Sequence, residues 1–133
     1  MRGELFHNKI VHDTADIFSR NKWHVLLEYR YQNDLVTTYF DLFAVKNGRQ
    51  IACEIETTTR HLLDNARKAS LAGIELWIIV PSRKLLRQAD KQLAASGIRN
   101  TLSICLLLAN QAELTLTILE RKETSCTLDG AEF

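Results

Sequence analysis

Apolar positions recur at helical spacing near the start of the chain and at alternate positions soon after. Ile10, Val11, Thr14, Ile17 and Phe18 form one stripe, which predicts a helix over Leu5 to Arg20. Trp23 to Tyr31 is rich in aromatic and branched residues and reads as a strand. Gln32-Asn33-Asp34 supplies a turn, followed by a second strand over Val36 to Val45 and a third over Gln50 to Glu56. Leu62, Leu63, Ala66 and Ala69 are the apolar face of a helix over Arg60 to Ala72, with Gly73 in place for a left-handed cap. Glu75 to Val80 is apolar on both faces, as buried parallel strands are, and Pro81 ends it. Ser82 can cap a helix that runs to about Ala95 and stops at Gly97. Leu102 to Leu108 and Glu113 to Leu119 read as two late strands; in the second, Leu114, Leu116 and Ile118 alternate with Thr115 and Thr117. The predicted order, αβββαβαββ, implies one mixed β-sheet flanked by helices, an α/β fold. Residues 1–121 form one domain on this reading, and 122–133 a flexible tail.

The most informative stretch is YFDLFAVKNGRQIACEIETT, residues 39–58. Asn47-Gly48 between two apolar runs is a strong hairpin signal, because both central positions of a type I′ turn need positive φ. A two-residue turn there pairs Lys46 with Arg49 and sets Asp41 opposite Glu54. Side chains alternate along a strand, so Glu56 shares the face of Glu54. Opposed residues have Cβ atoms about 5 Å apart, and neighbours on one face are about 6.5–7 Å apart. Three carboxylates are therefore expected at one spot. Phe40, Leu42, Ala44, Ile51, Cys53 and Ile55 are expected on the other, core-facing side. Like charges opposed across a ladder destabilise it and raise one another's pKa. A hard divalent cation, Mg²⁺ or Mn²⁺, resolves that repulsion. The alternative is a solvated acidic strand end neutralised by Arg60 or Lys68. His61, Asn65 and Lys68 form one stripe of the next helix, beginning just beyond the acids. Glu4 and His7 begin the core-facing stripe of the first helix, as a cap or as the edge of a site.

Composition and charge narrow the picture. The 133 residues are 46% hydrophobic and 25% charged, the proportions of an ordinary globular domain. Leu102 to Ala109 is the longest strongly apolar stretch and is too short to cross a bilayer. No basic-then-apolar leader opens the chain, so export is not expected. The net charge is +1, yet Arg60, Arg67, Lys68, Arg83, Lys84, Arg87 and Lys91 outnumber the acids between them, while residues 111–133 are acidic. A polyanion could use the basic part, although solvated helix faces explain it equally. Cys53, Cys105 and Cys126 show no metal-ligand or disulfide spacing, which fits a reducing cytoplasm.

A helix, a meander carrying Asp41 in YFDLFAV, Glu54 and Glu56 in GRQIACEIETT, then NARKA and ELWIIVPSRK, resembles the PD-(D/E)XK nuclease superfamily. The resemblance covers residues 4 to about 95 and is nearest to archaeal Holliday junction resolvase-like domains and to nuclease domains of mobile elements and ATPases. It implies a restriction-endonuclease-like fold and metal-dependent hydrolysis of DNA. Asp41 and Glu54 match the two metal-binding acids, and the backbone carbonyl of Ile55 would be a further ligand. Glu4 or His7 matches a first-helix polar residue near the metal. Glu56 stands where most members have lysine; in some branches that lysine moves to the following helix, where Lys68 is the match and Asn65 a polar helper. With Mg²⁺ on Asp41 and Glu54, Glu56 would be a third ligand or the general base. Lys68 would contact the phosphate, and Arg60, Arg67, Arg83, Lys84 and Arg87 would hold the DNA backbone. Many nucleases of this fold act as homodimers. The rival expectation is a non-catalytic nucleic-acid-binding or assembly module within a larger protein or complex, which the missing lysine favours.

Overall fold

The reversal at positions 47 and 48 organises the sheet. Asn47 and Gly48 have φ of 51° and 82°, as a type I′ turn requires. β2 (Thr37–Lys46) and β3 (Arg49–Ile55) pair in the expected register, from Lys46↔Arg49 to Leu42↔Cys53. The computed structural model describes residues 2–98 and 103–121; the expected tail, Cys126 and Leu102 lie outside them.

α1 (Arg2–Arg20) starts one turn earlier than its apolar stripe predicts. β1 (His24–Gln32) is the outer strand and pairs antiparallel with β2. The connection turns on Asn33, whose side-chain oxygen accepts from the N–H groups of Leu35 and Val36. α2 (Leu62–Ala72), closed by left-handed Gly73, leads to β4 (Glu75–Val80); α3 (Arg83–Ser96), capped by Ser82, leads to β5 (Ile104–Leu108). β4 and β5 add parallel strands, so the sheet order is β1-β2-β3-β4-β5. The fold is α/β, a mixed sheet flanked by helices.

The last expected strand is a helix. Residues 112–121 form α4 after a short 3-10 turn at Ala109–Gln111. The alternation of Leu114, Leu116 and Ile118 suggested a strand. Instead Ala112 and Leu116, four apart, are fully buried, while Leu114 and Ile118 are exposed. Thr115 and Thr117 return their hydroxyls to the carbonyls of Gln111 and Glu113, four residues back, which only a helical turn brings within reach.

Helices cover both faces. On one, Leu62, Ala66 and Ala69 of α2 and Leu85, Ala89 and Leu93 of α3 pack on Phe43, Ala52, Leu76 and Ile78. On the other, Ile10, Val11 and Phe18 of α1 and Leu116 of α4 pack on Leu42, Ile51, Cys53 and Trp77. Phe40 was expected with Leu42 but lies on the α2 face beside Phe43, their rings 6.2 Å apart. Among the described residues no helix is long and apolar enough to cross a membrane.

Candidate active site

The misplaced Phe40 locates the irregularity that shapes the site. The β1–β2 ladder passes from Leu27↔Leu42 to Tyr29↔Phe40 with no pair at Glu28 and Asp41. Glu28 has φ of 48°, a left-handed conformation unusual for glutamate. Phe40 and Phe43 both belong to the α2-side core and Leu42 to the α1-side core, so the alternation of β2 slips at Asp41. The Asp41 carboxylate accordingly turns to α1, where His7 Nε2 lies 3.1 Å from its Oδ2.

The β2–β3 ladder ends at Leu42↔Cys53, one step short of the expected Asp41–Glu54 opposition. Side chains take over there. The Asp41 N–H donates to Glu54 Oε1 at 3.3 Å, and the Ile55 N–H donates to Asp41 Oδ2 at 2.9 Å. Asp41 and Glu54 are thus brought together, through a strand slip rather than as a ladder pair.

Glu54 and Glu56 are 8% and 7% exposed, and no lysine or arginine among the described residues pairs with either or with Asp41. Burial, then the charge of Asp41, then that of Glu56, push the Glu54 carboxyl up to about 9. Burial also raises Glu56, against the Asn65 side-chain amide, which donates to its Oε1. Lys68 does not neutralise the acids: its Nζ lies 3.2 Å from Asp64 Oδ2, one turn away on α2.

Glu54 and Glu56 open into a cavity of about 330 Å³ that Asn65, Lys68, His61 and His7 also line. The α2 stripe read from the sequence therefore faces the acids. Asp41 lines a second cavity of about 240 Å³ on the α1 side, together with Glu28 and His12, and His7 lines both. The three carboxylates lie close together, Asp41 touching Glu54 and acting through its charge on Glu56, with the Asp41 carboxylate turned towards α1. As placed, no group of three or more His, Cys, Asp or Glu side chains among the described residues is set to hold a metal ion. Asp41 and Glu54 nonetheless suit a hard divalent cation, because both are oxygen donors and a cation would take the place of the proton that burial against Asp41 makes Glu54 hold.

The remaining candidates divide. Ile55 lines the larger cavity, while Glu4 is exposed and lines neither. Arg60 and Arg67 are exposed near α2, and Arg83, Lys84 and Arg87 are exposed on α3; none lines the cavity. Sequence reasoning missed Thr57 and Thr58, cavity-lining hydroxyls between β3 and α2, and Glu28, for which no residue pattern signals a left-handed glutamate.

No family model matches the chain, and no curated protein matches it. Several solved structures are similar, two of them as follows. A crystal structure described as a protein of unknown function, AF1548, aligns with a TM-score of 0.52 at 16% identity, over 74% of this chain and 55% of its own. Protein VC1899 from Vibrio cholerae aligns with a TM-score of 0.50 at 16% identity, over 84% of this chain and 31% of its own. This chain therefore spans about half of the first and a third of the second, and the likeness concerns the fold alone.

Proposed function

We propose that this chain is a metal-dependent nuclease-like domain of the PD-(D/E)XK type that hydrolyses DNA phosphodiester bonds in the cytoplasm. The observation that carries the reading is the buried Glu54 carboxylate held against Asp41 without a compensating cation. A fold gains nothing from such a pair, and sites that bind cations or move protons are where such pairs occur. Asp41 and Glu54, with the Ile55 carbonyl, would hold Mg²⁺ or Mn²⁺. Bound there, the ion would lower the pKa of a water and polarise the scissile phosphate. Glu56, raised by burial and oriented by Asn65, accepts a proton near neutral pH better than an ordinary carboxylate does. Lys68, on the wall of the same cavity, meets the phosphate once it leaves Asp64. Exposed Arg60, Arg67, Arg83, Lys84 and Arg87 supply contacts to the DNA backbone. Two copies acting together would cut both strands.

The test is cleavage of plasmid and branched DNA with Mg²⁺ or Mn²⁺. Wild type should cut, and Glu54→Ala should lose about 100-fold or more, since a metal contributes several kcal/mol to such a step. A second reading is a non-catalytic nucleic-acid-binding or assembly module. It is favoured by Glu56 standing in a lysine's place. Tight DNA binding with no cleavage under either metal would establish it.

A further inference from the structure

The half of the β1–β2 hairpin beyond α1 has one buried and one wet face. Tyr29, Tyr31, Thr38 and Phe40 turn to the α2-side core, where the aromatic rings stack on one another and on Phe43. The alternate positions, Arg30, Gln32, Thr37 and Tyr39, are all exposed. Tyr39 is 64% exposed, and its direct cross-strand partner is Arg30. Opposed side chains on one face are within reach of each other. Neither makes an intramolecular hydrogen bond, ion pair or ring contact among the described residues. A bare aromatic face beside a free guanidinium is thus set in the sheet, two residues before Asp41 on the same strand.

We infer that Arg30 and Tyr39 form a stacking platform for an unpaired nucleobase, so that the substrate presents single-stranded nucleotides beside the carboxylates. This rests on the nucleic-acid reading above and narrows it to a substrate class. A tyrosine ring stacks on any base face, and an adjacent arginine meets the phosphate of the same nucleotide. Bases inside a duplex are stacked on each other and have no free face to offer. The wet face runs along β2 from Thr37 through Tyr39 to Asp41, so a strand seated on Tyr39 is led to the site.

The experiment reads binding, with EDTA present so that cleavage plays no part. Fluorescence anisotropy compares a dye-labelled oligothymidine with a blunt duplex of equal length. Wild type should prefer the oligothymidine. Tyr39→Ala should weaken that complex about 10-fold, from the usual contribution of one stacked base, and leave duplex binding unchanged. Tyr39→Phe should restore it, and Arg30→Gln should weaken it less and reduce its salt dependence. Equal binding of single strand and duplex by wild type, or unchanged oligothymidine binding by Tyr39→Ala, overturns the inference. A dimer that dissociates in Tyr39→Ala also overturns it, because the face then belongs to a second copy. Platform-dependent binding without cleavage in Mg²⁺ would remove the nuclease reading and leave the platform. Cleavage of duplex that Tyr39→Ala does not impair would do the reverse.

Discussion

The two ends of β3 handle charge in opposite ways. At its start Arg49 forks onto Glu75 of β4, with bonds of 2.9 to 3.1 Å to both carboxylate oxygens. At its finish Glu54 and Glu56 sit beside Asp41 with no cation. The first pair is about a quarter exposed and the second group is buried, so desolvation weighs more heavily on the second. The first end is matched within the fold: a planar guanidinium meets a carboxylate in bidentate geometry. The second has no lysine or arginine: its acids take backbone N–H groups, the Asn65 amide and His7, and Glu54 holds its proton well above the usual carboxylate range. Glu120 is likewise partnered within the fold. Glu120 accepts from Trp23 Nε1 at 2.8 Å and from Lys46 Nζ at 3.1 Å. Partial burial would raise its carboxyl, yet these partners hold it below the usual range.

Four measurements sharpen or break this contrast. Arg49→Ala should cost about 2 kcal/mol of stability, because it leaves the half-buried Glu75 carboxylate unpaired. Thermal denaturation checks it. Glu54→Gln should act the other way and stabilise the metal-free protein by roughly 1 kcal/mol or more at pH 8, since folding no longer has to protonate this side chain and the acceptor for the Asp41 N–H is kept. Equal losses in both variants would abolish the contrast.

The pH dependence has a definite sign. The Glu54 carboxyl titrates at about 9 in the fold against 4.5 when exposed, so folding takes up a proton in between. Its stabilising contribution is complete below about 4.5 and is lost as pH rises towards 9. Stability of wild type should therefore decline over that window, by roughly 1 kcal/mol per pH unit at most, and Glu54→Gln should flatten the decline. A pH series of urea denaturations reads both. Adding Mg²⁺ at pH 8 should raise the melting temperature of wild type by a few degrees, through binding to the folded state, and leave Glu54→Gln unmoved. Identical shifts in the two proteins would show that the ion binds elsewhere.

Much of this arrangement was legible beforehand. Asn47-Gly48 specifies its turn through backbone sterics alone, and with it the register from Lys46↔Arg49 to Leu42↔Cys53. The i, i+4, i+7 spacing of His61, Asn65 and Lys68 placed them on the cavity wall for an equally local reason. The slip at Asp41 was not legible, because it depends on Glu28 of the neighbouring strand taking a conformation its side chain does not favour. Perfect alternation therefore put Phe40 on the wrong face and made Asp41 and Glu54 a ladder pair. α4 failed for a different reason. Its leucines and threonines satisfy both a period of two and a spacing of four, and only the gap beside Phe18, Trp77 and Leu107 decides between them.

The left-handed Glu28 also bears on how the molecule behaves in company. β1 is a border strand of nine residues, with one row of backbone groups facing outwards. A flat border of that length invites a neighbouring chain to zip on and seed aggregates. The kink at its midpoint leaves two short runs, His24–Leu27 and Tyr29–Gln32, too brief to template such growth.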